Sequence, residues 1–302
     1  PFVFRSAGRT FVTFKSCGGL VCEARNKELT QWSYVGRMDG VDGECPNFFP
    51  LGDKWTLIRS TQPLSYLVGG FDAQMVSFNP AGPVGMMDYG FGKNPPQDRA
   101  WTRGLYGTNA FADEHGRRIL LGWICGFKPH RGWNGCMSLP RVLTLDNDNR
   151  LIQTPAPELK ALRGTHHKIA AHTLNSETQR LDNVRGDTLE IIASFTAGDA
   201  QAFGLNVRQS EDGANAVTIR YTDGNLNVAG TDVPLELDSP SRDLKLHVFL
   251  DKSVLEVFIN DGITSVTRVE YPADADLAVS VFAENGSATL KSAEAWEIIP
   301  FW

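Results

Sequence analysis

The stretch LHVFLDKSVLEVFINDG, Leu246 to Gly262, decides the fold. It overlaps two short runs, Leu244 to Leu250 and Val254 to Asn260, that read as strands. In Val254-Leu255-Glu256-Val257-Phe258-Ile259 one face is apolar and the other mixes apolar residues with Glu256, the period of two that a pleated strand produces. Asp261-Gly262 follows as a turn signal. Outward from this stretch the same form repeats: Leu189 to Phe195, Phe203 to Arg208, Ala216 to Tyr221, Leu277 to Ala283 and Trp296 to Pro300. Asp212-Gly213, Asp223-Gly224 and Asn285-Gly286 punctuate the series. Such spacing predicts a β-sandwich.

The N-terminal part is also strand-rich. Phe2-Val3-Phe4, Thr10 to Phe14, Trp32 to Val35, Trp55 to Ser60, Arg118 to Trp123 and Val142 to Leu145 alternate with Gly, Asp and Asn turns. Helical periodicity is almost absent, so the chain is all-β, with a sandwich, barrel or propeller as candidate architectures. QTPAPELKALRG carries two prolines and a short helical turn, Glu158 to Arg163. It reads as a connector, which divides the chain into residues 1–150, a linker at 151–164 and a C-terminal domain at 165–302.

Composition narrows the function. Hydrophobic residues make up 42% and charged residues 21% of the 302, as in a globular protein. A net charge of −6 argues against a nucleic-acid partner, which needs a basic face. No apolar run reaches the ~20 residues of a membrane helix. Cys17, Cys22, Cys45, Cys125 and Cys136 are odd in number and absent from the C-terminal half, so they do not form a disulfide framework. They are expected to be free and mostly buried thiols. No Cys/His pairing has zinc spacing, and the six histidines are scattered, so no metal is expected. His166-His167 reads as a surface pair, and Asn285-Gly286-Ser287 as a turn before a glycosylation acceptor.

GECPNFFPL, Gly43 to Leu51, carries the chemistry. On residue types alone it reads first as a strand end with an exposed Glu and two core phenylalanines. The alternative is a stiffly held carboxyl group: Pro46 fixes its own φ and pushes Cys45 towards an extended conformation. A carboxyl group in apolar surroundings keeps its proton to higher pH, as a general acid must. The Asp39-Gly40 and Asp42-Gly43 pairs beside it read as solvated turns.

GECPNFFPL resembles the Glu-Cys-Pro acid/base motif of family 32 glycoside hydrolases, the invertases, inulinases, levanases and other β-fructosidases. Three more stretches resemble family segments in the same order. YGTNAFADEHGRRILLGW, Tyr106 to Trp123, resembles Phe-Tyr-Ala…Gly-Arg-Arg-Ile…Gly-Trp. RGWNGCMSLPRVLTL, Arg131 to Leu145, resembles Gly-Trp-x-Gly…Leu-Pro-Arg, and Leu246 to Gly262 resembles the C-terminal sandwich signature. The resemblance implies a five-bladed β-propeller, of which this chain carries the later blades, followed by a β-sandwich.

The implied activity is retaining release of fructosyl units from sucrose or a fructan, without metal or organic cofactor. Two carboxyl groups ~5–5.5 Å apart do this work, one as nucleophile and one as acid then base. Glu44 matches the acid/base, and a like-charged partner would help hold its proton. Cys45 is then expected to line the sugar site, or else to be a small buried hydrophobe. Tyr106 matches the tyrosine of Phe-Tyr-Ala, with Leu105 and Gly107 replacing its neighbours. Phe127 falls where relatives carry a pocket Trp. Trp123, Trp133 and Arg141 are read as structural. Phe91 to Gly104 is longer than in relatives and reads as a surface loop, in which Trp101 either stacks on a sugar or anchors the loop. PFVF resembles the residues after Arg-Asp in Arg-Asp-Pro, so the nucleophilic Asp is expected upstream of Pro1. The polypeptide alone is therefore expected to be inactive and poorly folded, with strand edges unpaired. A fructosyltransferase and a catalytically silent carbohydrate-binding relative are the alternatives, with a sandwich protein of fortuitous motifs behind them. The sandwich is a candidate homo-oligomer surface. Location is not fixed, a secreted or periplasmic one ranking ahead of a cytoplasmic one.

Overall fold

The computed structural model describes residues 1–90, 104–130, 132–238 and 240–300. Almost every regular element is a strand. Helical geometry among the described residues is confined to one turn, Ser16–Gly19, and two 3-10 segments, Pro157–Leu162 and Asn260–Gly262. The chain divides into two compact units, Pro1–Ala156 and Pro157–Trp302.

The first unit is built of antiparallel meanders. Phe2–Ser6, Arg9–Phe14, Leu20–Ala24 and Trp32–Arg37 pair in sequence order. Glu44–Leu51, Lys54–Ser60 and Leu64–Asp72 follow, and Ser77–Pro80 and Gly85–Asp88 both pair with the last of these. Gly104–Ala112, Arg118–Cys125, Arg141–Leu145 and Leu151–Pro155 form the third meander, with Cys136–Met137 on its second strand. The connector expected over 151–164 thus opens with a strand, Leu151–Pro155, because Leu151 and Gln153 find buried places beside Arg141–Leu145.

Phe48 sits at the centre of the core that fixes Glu44–Leu51. Its ring lies 4.8–5.2 Å from those of Phe4, Trp55, Phe71 and Phe78. Three of these contacts are edge-on and one is stacked, geometries that aromatic quadrupoles favour. Phe11, Val21, Met38, Val41, Leu57, Leu67 and Val76 are the other buried members of the cluster. Phe49, on the opposite face, is 1% exposed and carries the Arg118 guanidinium 4.5 Å above its ring. Both phenylalanines of GECPNFFPL are therefore core residues, as their type predicts.

The second unit has two antiparallel layers. Arg163–Ile169, Ser287–Ile298, Thr188–Ala197, Asp243–Asp251, Val254–Ile259 and Thr264–Val269 pair in that order, with His172–Asn175 also on Ser287–Ile298. Thr178–Arg185, Ala278–Glu284, Ala202–Gln209, Val217–Thr222, Asn225–Val228 and Thr231–Pro234 form the other. Phe195 of the first layer meets Phe203 of the second at 5.7 Å. Asp223-Gly224 makes a two-residue hairpin, as expected, with Gly224 at φ +71°. Asn285-Gly286 is also a turn, but it carries the chain from one layer to the other. Ser176 and Asp199 lie at two further crossings, and all three are tied together. The Gly286 amide donates to Ser176 Oγ (2.9 Å), and the Ser287 amide to Asp199 Oδ1 (2.7 Å).

A buried charged cluster in this unit centres on Glu190. Glu190 is 2% exposed and takes a bidentate pair from Arg163 (2.7 and 2.6 Å) and a contact from His247 Nε2 at 2.7 Å. The Arg163 guanidinium lies 3.6 Å over the Trp296 ring, and His166 is stacked with the same ring at 4.7 Å. His166 is exposed, as expected of a surface residue, while its ring packs on Trp296 and its Nε2 meets Glu294 at 3.1 Å. Burial pushes the Glu190 carboxyl up, but Arg163 and His247 pull it further down, so its pKa is lowered. A depressed carboxyl contributes stability that is full above its unfolded pKa, about 4.3, and is lost as pH falls through the folded value. Removing one partner of a buried pair strands the other charge. Glu190→Ala is expected to cost about 3–5 kcal/mol in denaturant unfolding. Glu190→Gln should lose less, and thermal melts below pH 5 should show a shallower acid-side decline than the wild type.

Candidate active site

Glu44 opens the strand Glu44–Leu51 and pairs with Ser60. The next matched pair is Asn47 with Ile58, so Cys45 and Pro46 together oppose Arg59. This is a β-bulge, and Cys45 occupies it at φ +46°. The extended conformation expected of the residue before Pro46 is not adopted. A bulge takes up its extra residue in the left-handed region at about 1–2 kcal/mol, and the register on either side imposes it. Cys45 is exposed, so the reading as a small buried hydrophobe fails. Among the four cysteines with described side chains only Cys125 is buried, and none is in a disulfide; burial pushes the Cys125 thiol up to about 12. The expectation of mostly buried thiols was set by residue type, and here the bulge overrides it.

A second bulge faces the first. In Gly104–Ala112 the register slips between Tyr106 and Asn109, with Gly107 at φ +55°. Nothing lies within 4 Å of a Cβ placed there, so the backbone angle, not crowding, is what favours glycine over the family's alanine. The Gly107 amide donates to Ser60 Oγ at 3.1 Å, and Ser60 is the strand partner of Glu44. Asn47, 1% exposed, closes the join: its Nδ2 donates to the Thr108 carbonyl (2.9 Å) and its Oδ1 accepts from the Ala110 amide (2.7 Å). No sequence signal marked Asn47. A polar residue between Pro46 and two core phenylalanines was the available clue.

This join brings Tyr106 to Glu44. The Tyr106 hydroxyl donates to Glu44 Oε2 at 2.6 Å, and Lys15 Nζ donates to Oε1 at 3.0 Å. Lys15 follows the strand Arg9–Phe14 and carries no motif. The Tyr106 hydroxyl, and after it the Lys15 ammonium, hold the Glu44 carboxyl below the usual range. Burial and the adjoining carboxylate push the Tyr106 phenol up, so it remains a donor. The expectation of an apolar setting that retains the Glu44 proton is corrected here. The Glu44 side chain is 53% exposed, and a cation and a hydroxyl, both stabilising the ionised form, are its neighbours.

The surrounding charges are ordered. Asp42 pairs with Arg59, a buried guanidinium that also donates to the Gly40 carbonyl (3.0 Å) and Ser65 Oγ (3.1 Å). Asp42 is itself 76% exposed, in keeping with a turn. A Cβ on Gly43 would come 2.6 Å from Arg59 Cβ, so only glycine permits this approach before Glu44.

Phe127 is 5% exposed and lies edge-on to Trp133 at 4.8 Å. Trp133 is 51% exposed, unlike a core tryptophan. Trp123 donates through Nε1 to the Asn134 carbonyl at 3.1 Å, and Arg141 is fully buried between Asp88 (3.2 Å) and Gln153 (2.7 Å). Trp101 lies outside the described residues. Among the described residues no three His, Cys, Asp or Glu side chains converge as a metal site, and no helix is long and apolar enough to cross a membrane.

Comparison with known proteins places this geometry. The model of the glycosyl hydrolases family 32 N-terminal domain matches residues 24–155, and that of the family 32 C-terminal domain matches residues 158–297. The sucrose-6-phosphate hydrolase of Escherichia coli is 27% identical over 308 residues, covering 93% of this chain and 61% of that protein. The levanase of Bacillus subtilis (strain 168) is 27% identical over 353 residues, covering 97% and 50%. The chain thus spans about half to three-fifths the length of these relatives. Fructan 1-exohydrolase IIa from Cichorium intybus superposes with a TM-score of 0.81 at 17% identity, over 96% of this chain and 69% of that one, which shows a shared fold. With both domain models matched in order over nearly all of its length, the chain belongs to glycoside hydrolase family 32.

Proposed function

We propose that this chain belongs to a retaining β-fructosidase, which releases fructosyl units from sucrose or a fructan, and that Glu44 is its acid/base. The observation that carries this reading is the carboxyl group set at the meeting of two β-bulges, exposed to solvent and held through both oxygens. Bulges recur beside active sites because they re-aim a side chain. Membership of the family and the Glu-Cys-Pro sequence supply the reaction class.

In this reading Glu44 gives its proton to the departing sugar oxygen as the glycosidic bond breaks. It then takes a proton from the water that releases the fructosyl group from the nucleophile. The nucleophilic carboxylate is not assigned. Tyr106 orients Glu44 by its fixed hydrogen bond to Oε2, which leaves Oε1 to meet the leaving group. The exposed thiol of Cys45, the residue after Glu44, is assigned to lining the sugar site. Phe127 backs the exposed Trp133, an aromatic face suited to sugar C–H groups, and Trp101 belongs to the same sugar-binding role.

We assign the three meanders of residues 1–156 to blades of a five-bladed propeller, the last ending at Pro155, and the layered unit from Pro157 onward to the appended β-sandwich. Successive meanders of sequence-ordered antiparallel strands support the propeller reading.

Glu44→Gln tests the assignment in the intact protein. Fructose release from sucrose should fall about 10²-fold or more, the usual worth of a general acid, while an aryl fructoside with an acidic leaving group should lose much less. Unchanged turnover of sucrose by this variant would remove the assignment. Tyr106→Phe should retain Glu44 in place but lower kcat by roughly 10-fold. It should also shift the alkaline limb of kcat/KM to higher pH, because loss of the donor lets Glu44 stay protonated longer.

A further inference from the structure

The two donors on Glu44 are unequal. Tyr106 stands on a strand locked by the Asn47 amide and the Gly107–Ser60 bond. Lys15 stands at the edge of a single helical turn on a flexible four-carbon stem, with 48% of its side chain exposed. An acid must present a protonated oxygen to the leaving group. Oε2 already accepts from Tyr106, so the oxygen available is Oε1, and Lys15 sits on it. A glycosidic oxygen approaching Oε1 competes with the Lys15 ammonium for that oxygen. An exposed ion pair is weak, so an arriving sugar is able to break it.

We propose that Lys15 is a positioning residue that locks Glu44 in the free protein and is displaced from Oε1 when substrate binds. The proposal rests on Glu44 as the acid/base. Locked, the carboxylate is ionised and both its oxygens are aimed. Displacement removes one positive charge from Oε1 while the sugar excludes water. The carboxylate then takes one proton from solvent, which is the proton it later gives to the leaving oxygen. The lock explains how a carboxyl group set low in the free protein serves as an acid in the complex. Other groups around Glu44 do not supply this change. Arg59 is taken up by Asp42, Gly40 and Ser65, Tyr106 keeps its proton, and Cys45 is in no disulfide.

The test is the pH profile of the intact protein, since kcat/KM reports the free enzyme and kcat reports the complex. In the wild type the alkaline limb of kcat/KM for sucrose is expected at lower pH than that of kcat. In Lys15→Met the kcat/KM limb should move alkaline by a fraction of a pH unit, towards the kcat limb, while the kcat limb stays. Lys15→Arg should keep the wild-type separation. Equal movement of both limbs would mean that Lys15 stays on Glu44 throughout, and no movement would mean that it does not hold the carboxylate; either result overturns the lock. Glu44→Gln separates this from the parent reading. If the alkaline limb survives in that variant, Glu44 is not the acid and both fall. If the limb disappears there but Lys15→Met leaves it in place, only the lock falls.

Discussion

The side-chain amide of Asn47 is the interaction on which the site depends. Buried and hydrogen-bonded through both its nitrogen and its oxygen, it stitches the strand of Glu44 to the strand of Tyr106 across a point where neither has regular pairing. Two bulged strands would otherwise be free to slide, since each has lost part of its ladder. Four residues of ordinary type thereby fix a carboxyl group. Phe48 roots its strand in an aromatic core, Asn47 sets the register against the next meander, Ser60 holds the Gly107 amide, and Gly107 takes the backbone angle that lets Tyr106 reach across.

The electrostatics of the two units contrast. Glu190 and Arg163 are largely withdrawn from water and anchor a layer; removing Glu190 leaves the Arg163 charge without its carboxylate in a poor solvent for it. Glu44 and Lys15 make the same kind of contact in the open, where water competes and the net gain is small. A strong pair suits a framework, whereas the acid/base role proposed for Glu44, which changes protonation within each turnover, requires a weak one.

The all-β character was legible because alternation along each run needs no tertiary information. Thr10 to Phe14, Trp55 to Ser60 and Leu244 to Leu250 lie within observed strands. Boundaries failed where a neighbour decided them: Trp296 to Pro300 is only the end of Ser287–Ile298, and Leu151 to Pro155 was absorbed into a meander by its partner strand. Glu44 and Tyr106 stood out through motifs, but the contact between them did not, since 62 residues separate them in the chain. Lys15 and Asn47 were invisible for the same reason. The backbone of Cys45 ran against the local rule for residues before proline, because register outweighs it. The Glu44 environment was misjudged, since apolar neighbours in sequence are buried beneath the strand while the carboxylate points out from it.

The three layer crossings around Ser176, Asp199 and Gly286 have a mechanical consequence. Gly286 lies so close to the Asp199 carbonyl that a Cβ would come within 2.6 Å of it, and hydrogen bonds from its neighbourhood clasp both other crossings. Sliding of one layer over the other would have to break this clasp and also the bonds at the opposite end, where Arg208 donates to the Lys252 and Asp276 carbonyls (both 2.7 Å) and the Lys252 amide donates to the Asp187 carbonyl (2.8 Å). The two layers are thereby pinned along both opposite edges, so sliding has no loose edge from which to start.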